Sequence, residues 1–397
     1  MITRFSSLYA GHVDLEDMGQ EATPANERRL PNEHLATVFS KTEAMAVCMD
    51  KNGYDTLWLA EHHFQHEGYE CIPNLMMMGV HLAHLTETLK IGCGFNVAPM
   101  WHPLRLAEDY ATADILTGGR MVFGVGRGYH TREVESLGGP MLDQDENRDY
   151  FEEATSVILK AFENESFSHS GKYFNIPPNI PYRGYDLEEL TLVPRPTHPV
   201  ECWQPIVSAS ERGLDFMVKH GIKGVVGGGS ALMSEGPVAA YRDALARSGI
   251  ESDLGEGLSV GINFHLADTK EQAIKEATPF YEEHIKMFAP LGFFRGLNDE
   301  QLDAVAQRGG WTQAGVPGLE EACESRSWYC GPPEGFVEYL QELSESLPGL
   351  EMVNVQSSMG TPQQVLIEQL EWFASAVMPS FSETAEKGID PVTVQSA

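Results

Sequence analysis

The range Leu89–Tyr129 reads LKIGCGFNVAPMWHPLRLAEDYATADILTGGRMVFGVGRGY. It begins with the apolar run LKIGCGFNV and ends with a second one, MVFGVG, and runs of this length are typical of buried strands. Between them, Leu104, Ala107, Ala111 and Ile115 recur at a helical spacing and share one face. Because parallel strands need a long crossover connection, this order predicts a parallel β–α–β unit.

The same alternation of apolar runs and amphipathic helices continues along the chain. We predict strands at Ile2–Tyr9, Thr56–Ala60, Leu89–Val97, Met121–Val125, Pro205–Ser208, Gly224–Val226, Leu258–Leu266 and Met352–Gln356. Eight strands separated by helices favour a closed (β/α)8 TIM barrel of the α/β class over an open sheet. A chain of 397 residues fits one such domain, because these barrels often exceed about 250 residues.

Two stretches rich in proline and aromatic residues interrupt this alternation. Residues 163–204 follow the fourth predicted strand, and residues 290–333 follow the seventh strand and its helix. Loops that follow strands form the catalytic face of a barrel, so each insertion is either a lid or substrate wall, or a packed excursion without a catalytic part. The polar stretch 382–397 is expected to be a disordered tail, which leaves 1–381 as a single domain.

The composition is strongly acidic. Lys and Arg together number 27 and Asp and Glu 58, which gives a formal net charge of −31 at pH 7. Such a surface repels phosphate backbones and anionic lipid headgroups, which argues against nucleic-acid and membrane partners. The six cysteines form no C-x-x-C pair, and we find neither a signal-like leader nor a long apolar run. We therefore expect a soluble, cytoplasmic protein.

A polar cluster follows the second predicted strand directly, in the segment Trp58–Phe64 (WLAEHHF). A histidine at a strand end, such as His62, would lie in the barrel mouth and could exchange protons near neutral pH. The alternative is a metal site built from Glu61, His62, His63 and His66. Adjacent histidines on an extended strand point to opposite faces, so we expect no metal.

The fourth predicted strand ends in a glycine-rich turn, Gly124–Gly128 (GVGRG). Glycines let the backbone approach an anion closely, and Arg127 offers a forked donor, so the turn is a candidate phosphate cradle. A dinucleotide fingerprint needs a further glycine, where this chain has Tyr129 and His130. The turn therefore does not favour a Rossmann-type NAD site.

Taken together, the segments WLAEHHF, APMWHPLRLAEDYATADILTGGR and FGVGRGY resemble, in this order and spacing, the bacterial luciferase family of flavin-dependent monooxygenases. The resemblance covers about residues 1–290 and the final strand and helices. It implies a TIM barrel that holds reduced FMN, or the deazaflavin F420, at its C-terminal face. It also implies a homodimer formed through the helices after the second and third strands, the first of which is Asn74–Leu85 (NLMMMGVHLAHL) here.

The resemblance also implies particular cofactor-binding positions. They correspond to Gly94, Phe95, Asn96, Arg127, Arg148, Ser208 and Ser210 of this sequence. Gly94, Phe95 and Asn96 lie where the family packs its third strand under the isoalloxazine, often at a cis peptide bond. Arg127 lies in the phosphate-binding turn, and Arg148 begins the following helix, where the helix dipole favours an anion.

The turn after the fifth strand departs from the family pattern. Ser210 matches the phosphate-binding serine best, and Ser208 is the weaker match. Ala209 and Gly213 stand where luciferases carry an acidic residue and a threonine. The phosphate pocket is therefore only partly reproduced, and Arg212 is considered as a substitute donor.

The implied reaction uses reduced FMN from a separate NAD(P)H:flavin reductase, together with O2. A small organic substrate, cyclic or aromatic, would be oxygenated through a C4a-(hydro)peroxyflavin, with His62 and His102 as the catalytic side chains that bias its protonation state. We find no NAD(P)H-binding module in the sequence, which fits a two-component system. The alternatives are F420-dependent hydride transfer on the same fold, a non-catalytic flavin-binding protein, and a metal-dependent hydrolase.

Overall fold

Eight parallel strands pair into a barrel in the computed structural model, which describes residues 1–227, 236–294, 296–356 and 358–381. They are β1 (Arg4–Tyr9), β2 (Thr56–Leu59), β3 (Lys90–Cys93), β4 (Met121–Gly126), β5 (Cys202–Pro205), β6 (Lys223–Gly227), β7 (Leu258–Leu266) and β8 (Met352–Gln356). The strands follow one another around the barrel in chain order. Pairing of β8 with β1 and of β4 with β5, where Phe123 lies opposite Cys202, closes it. The predicted TIM barrel is confirmed.

Helices cover the outside of the barrel and occupy the connections. They span Asn32–Leu35, Thr37–Lys51, Leu75–Ala83, Pro103–Leu116, Thr131–Ser136, Gln144–Glu163, Glu211–Lys219, Pro237–Arg247, Lys270–Phe288, Asp299–Val305, Trp311–Ala314, Leu319–Glu324, Pro333–Ser346 and Gln363–Ala376. Gln144–Glu163 shows why these segments are helical, since Phe151, Ala154 and Ile158 recur on its buried face and the Asp143 side chain caps its first turn. Among the described residues, no helix has the length and hydropathy needed to cross a bilayer.

Two strands differ from their predicted bounds by more than two residues. β5 ends at Pro205 instead of beginning there, because the chain leaves the barrel wall at that point and Val207 is exposed. The predicted strand Leu89–Val97 is divided into β3 and a two-residue strand, Asn96–Val97. The peptide bond between Gly94 and Phe95, at the division, is cis.

The two insertions have different structures. Residues 163–204 contain two short antiparallel hairpins, His169–Ser170 with Asn175–Ile176 and Pro181–Tyr182 with Tyr185–Asp186. Glu153, on the preceding helix, accepts backbone hydrogen bonds from Lys172, Tyr173 and Phe174 and holds the first hairpin.

The second insertion, residues 290–333, contains three short helices and a strand that was not predicted, Trp328–Gly331. This strand pairs in parallel with the carboxyl-terminal residues of β7, from Asn263 to Leu266. The predicted tail, 382–397, lies outside the described residues.

The indole of Trp58 lies inside the barrel and restricts which residues the neighbouring strand can carry. Trp58 of β2 is fully buried and packs edge-on against Trp203 of β5, with ring centroids 5.6 Å apart. A Cβ atom at Gly92 would lie 2.3 Å from the Trp58 ring. A Cβ atom at Gly124 would lie 1.9 Å from the carbonyl oxygen of Cys93. Glycine is therefore required at both positions for β2, β3 and β4 to pair.

This packing predicts a large stability difference between two glycine substitutions in the barrel wall. Gly124→Ala forces β3 and β4 apart and should lower the free energy of unfolding by about 3 kcal/mol. Gly227→Ala, at the end of β6, is the matched control, since none of the described residues places an atom within 4 Å of a Cβ atom there. Its effect should stay within about 0.5 kcal/mol. Urea denaturation of both variants measures the difference, and equal midpoints would contradict the packing argument.

Candidate functional site

A cavity of about 510 Å³ lies at the carboxyl ends of the barrel strands. Residues that directly follow β2, β3, β4 and β5 line it, as does the beginning of the second insertion. Its volume falls in the range of small-ligand sites, roughly 300–1,000 Å³. This is also the face at which barrels of this type carry their active sites.

The cis peptide bond between Gly94 and Phe95 lies in the wall of this cavity, and both residues line it. The Phe95 ring packs beside Trp58, with centroids 6.5 Å apart. Asn96 does not line the cavity, because its buried amide donates to the carbonyl oxygen of Gly124 at 2.9 Å. Of the three predicted third-strand residues, two therefore reach the cavity and one fixes the strand behind it.

Two guanidinium groups face the cavity without close carboxylates. The nearest contact of Arg127 is a long hydrogen bond of 3.5 Å to the carbonyl oxygen of Gln144, and Arg148 lies 3.9 Å from Glu152. Burial, and after it the charge of Arg148, lowers the pKa of Arg127. Two neighbouring cations with so few carboxylates close to them form a site that favours an anion.

A serine and a glycine complete this cationic pocket. The Ser210 hydroxyl is buried and has no hydrogen-bond partner among the described atoms, although the residue stands at the N-cap of the helix Glu211–Lys219. A Cβ atom at Gly213 would lie 2.9 Å from the Ser210 hydroxyl and 3.1 Å from Arg148 Nη1. A glycine there therefore keeps open the space in front of a helix N-terminus, where phosphate groups bind readily.

The other two residues predicted for this turn lie differently. Ser208 lines the cavity but is exposed. Arg212 points away, because its guanidinium is bound to Asp149 and Glu152 at 2.7 Å each. Arg212 is therefore not the substitute donor considered from the sequence.

His62 lies in the cavity wall and is held from both sides of its ring. Nδ1 donates to Glu133 Oε1 at 3.0 Å, and Nε2 lies 3.0 Å from the Tyr129 hydroxyl and 3.3 Å from Glu70 Oε1. The Tyr129 hydroxyl donates to the same Glu70 oxygen at 2.6 Å. The orientation of the imidazole is thus fixed by carboxylates that are fully buried.

The charges around His62 set its protonation state. Burial lowers the pKa of His62, but the charges of Glu70, Glu133 and Glu61 and the hydrogen bond to Glu133 outweigh it, so the pKa lies above its usual value. Burial raises the pKa of Glu133, but its contacts with His62 again outweigh it, and this pKa is lowered. The two form a buried pair in which the charge of Glu133 favours the protonated form of His62, so His62 can act as a proton donor.

The metal site considered from the sequence does not assemble. His63 pairs with Glu61 at 3.2 Å and His66 with Glu67 at 3.5 Å, so neither converges with His62. Among the described residues, His62, Glu70 and His130 bring three potential ligand atoms within 4.8 Å of one another. Both Glu70 oxygens already accept hydrogen bonds, from Tyr129 and His130, so we interpret this cluster as a hydrogen-bond network.

His102 does not reach the cavity. It is exposed and caps the helix Pro103–Leu116, where its Nδ1 accepts from the backbone N–H of Leu104 at 3.3 Å. Its ring packs edge-on against Phe174 of the first insertion, with centroids 5.6 Å apart. The sequence prediction of a catalytic His102 is therefore not supported by its position, and we remove it from the candidate set.

The ion pair between His62 and Glu133 predicts how stability depends on pH. Because the pKa of His62 is raised in the folded protein, its contribution to stability is present below the unfolded pKa of about 6.5 and is lost as the pH rises through the folded pKa. Glu133→Gln should lower the pKa of His62 and cost about 2 kcal/mol at pH 6, with a smaller cost at pH 9. NMR titration and urea unfolding at both pH values test this, and a cost independent of pH would contradict it.

Comparisons with known proteins agree with this fold. A sequence profile of the family of luciferase-like monooxygenases matches residues 23–377. The oxygenase component of the flavin-dependent trigonelline monooxygenase of Acinetobacter baylyi is 29% identical over 137 residues, which are 34% of this chain and 37% of that protein. Limonene 1,2-monooxygenase of Rhodococcus erythropolis is 24% identical over 341 residues, which are 84% of this chain and 79% of the relative.

A solved structure is similar over almost the whole chain. It is the oxygenating constituent of 3,6-diketocamphane monooxygenase from Pseudomonas putida in complex with FMN, with a TM-score of 0.70, 19% identity and coverage of 96% of this chain and 98% of that one. At this identity the likeness shows the fold. The alignments with the first curated relatives span 37 to 41% of those proteins' length. Since the family profile matches most of the chain, the protein belongs to the luciferase-like monooxygenase family.

Proposed function

We propose that this protein is the oxygenase component of a two-component, FMN-dependent monooxygenase. It would bind reduced FMN supplied by a separate NAD(P)H:flavin reductase and use O2 to oxygenate a small organic substrate. The observation that carries the proposal is one cavity whose lining includes both a pair of guanidinium groups with few close carboxylates and a buried histidine whose pKa is raised. The guanidinium groups would bind the FMN phosphate, and the histidine would control the proton during oxygen transfer.

The residues of the cavity fit the FMN phosphate. Arg127 and Arg148 supply charge, and the unpartnered Ser210 hydroxyl and the helix N-terminus behind it supply further donors. Gly94 and Phe95 would lie against the isoalloxazine ring. The bound reduced flavin supplies the oxygen-activating chemistry, while the chain holds the ring, excludes water and positions the substrate.

An apolar wall covers part of the cavity and supports an apolar or aromatic substrate. Phe288, Leu291 and Phe293 line it, and the Phe293 ring packs edge-on against Tyr129 with centroids 4.9 Å apart. The beginning of the second insertion would thus act as a lid that excludes water. Within the first insertion, residues 163–204, only Gln204 lines the cavity, and it belongs to β5, which supports a packed excursion for the rest of this insertion.

His62 would hold or release a proton at Nε2 beside the flavin. The raised pKa of His62 favours the protonated form, which would let the residue start the reaction as a donor. Glu133 fixes the ring through Nδ1 and leaves Nε2 directed towards Tyr129 and Glu70. General acid–base chemistry requires this arrangement, in which Nδ1 is fixed by a hydrogen bond and Nε2 exchanges the proton.

We also propose that the protein is a homodimer. The helix Leu75–Ala83 buries Met76 and Met78, but Met77 is 73% exposed. Val47, on the neighbouring helix Thr37–Lys51, is also exposed, and a contact between His81 and Glu43 links the two helices. Exposed methionine side chains are enriched at subunit interfaces, which supports this face as the dimer contact.

The cationic pocket predicts which substitutions weaken FMN binding. Arg127→Ala and Arg148→Ala should each reduce FMN affinity about tenfold to a hundredfold, because each removes a charged hydrogen bond to the phosphate. Riboflavin, which lacks the phosphate, should bind all variants alike in a flavin-fluorescence titration. Arg212→Ala is the matched control, since this arginine is held by Asp149 and Glu152 outside the cavity. Unchanged FMN affinity in both pocket variants would reject the phosphate site.

The two-component reaction is tested by adding and withholding the reductase. The protein with NADH and FMN alone should turn over poorly, and a generic flavin reductase should restore activity on a panel of cyclic ketones, aldehydes and heteroaromatics. Mass spectrometry under labelled O2 should show one labelled oxygen atom in the product. Rapid NADH oxidation without reductase would reject the two-component claim. Oxygen-independent turnover with F420 would favour the F420-dependent alternative.

A further inference from the structure

A second depression lies on the surface next to the cavity. It is an open groove of about 510 Å³ lined by residues of the segments 32–39 and 62–73, among them Phe39, Phe64 and His66. Among the described residues, only His62 and Glu70 line both the groove and the cavity. These two buried side chains therefore form the wall between the cavity and the water in the groove.

Hydrogen bonds connect the two faces of this wall. Glu70 Oε1 lies 3.3 Å from His62 Nε2, so a proton could pass between them directly. The Tyr129 hydroxyl also bridges them, at 3.0 Å from His62 Nε2 and 2.6 Å from Glu70 Oε1. Burial and the charge of Glu70 raise the pKa of Tyr129 well above its usual value, so its hydroxyl stays protonated and can accept one proton while donating another.

The other groups that face His62 offer no such route. Glu133 and Glu61 are fully buried and line neither the groove nor the cavity. Glu133 is occupied by His62 Nδ1 and the His63 backbone, and Glu61 by the Val97 backbone and the Trp101 indole. His130 donates to Glu70 Oε2 at 2.9 Å and so adds to the Glu70 end of the network.

We propose that Glu70 transfers protons between His62 and the water of the surface groove, so that the wall between groove and cavity is a proton conduit. In the outward step the N–H bond of protonated His62 breaks and an O–H bond forms on Glu70, directly or through the Tyr129 hydroxyl. The carboxylic acid then gives its proton to a groove water, and the inward step is the reverse. The proposal rests on the proposed function, because an oxygenation cavity that excludes water needs a separate path for protons.

The conduit is tested on the flavin-free protein. NMR of histidine-labelled protein measures how fast the Nε2 proton of His62 exchanges with water, a quantity that needs neither flavin nor substrate. Glu70→Gln should slow this exchange at least about tenfold, because the amide cannot accept and release a proton. Tyr129→Phe should slow it less, since the direct contact between Glu70 and His62 remains.

A matched control separates proton transfer from a structural role. Glu67→Gln removes a buried carboxylate from the same segment, but Glu67 pairs with Arg132 and lines neither depression. It should leave the exchange rate unchanged. Glu70→Asp should restore part of the rate, and formate should accelerate exchange in Glu70→Ala by entering through the groove.

The outcomes distinguish this proposal from the proposed function. Exchange within about twofold of wild type in folded Glu70→Gln, or equal slowing in Glu67→Gln, overturns the conduit and leaves the oxygenase proposal standing. Slow exchange in Glu70→Gln with formate rescue in Glu70→Ala supports the conduit even if oxygenase assays fail. If Glu70→Gln does not fold, Glu70→Ala decides: exchange within about twofold of wild type without formate rejects the route, and slow exchange that formate accelerates supports it.

Discussion

The position of the Trp58 indole inside the barrel constrains the rest of the structure. The ring leaves no space for a side chain at Gly92, and β3 and β4 approach so closely at Gly124 that a methyl group would overlap a backbone carbonyl. The chain therefore enters the cavity wall at Gly94 and Phe95 directly above a layer of packed aromatic rings. A rigid layer of this kind is what holds a ligand site in place, because a packed core deforms little.

Above that layer, the site depends on buried negative charge that is fully compensated. Glu61, Glu70 and Glu133 are each exposed by no more than 1%, yet each accepts at least two hydrogen bonds. Burying a carboxylate without such partners would cost several kcal/mol. Because the partners include backbone groups of the segments after β2 and β3, the same carboxylates that surround His62 also fix the loops that carry it.

Much of the fold could be predicted from local pattern, and less of the site. The run LKIGCGFNV and the turn GVGRG located β3, β4 and Arg127, because apolar strands and glycine turns are encoded by neighbouring residues. Glu133 lies 71 positions from His62 and meets it through the fold, so no spacing in the sequence indicated it. His102 is a residue that the sequence pattern suggested and the structure does not support. It lies within a family motif but caps a helix outside the cavity. The strand Trp328–Gly331 was missed because its four residues, which end in a glycine followed by two prolines, give too short a pattern.

Arg127 and Arg148 have few close carboxylates, and this has a consequence for how a flavin would arrive. The chain as a whole carries a net charge of −31, so an anionic ligand is repelled until it comes within a few ångströms of the two guanidinium groups. Salt screens this long-range repulsion strongly, whereas it screens a contact between an anion and the two guanidinium groups inside the cavity much less. Association of the anionic ligand with the protein would therefore become faster as ionic strength rises. An enzyme whose net charge is opposite to that of its ligand shows the reverse dependence.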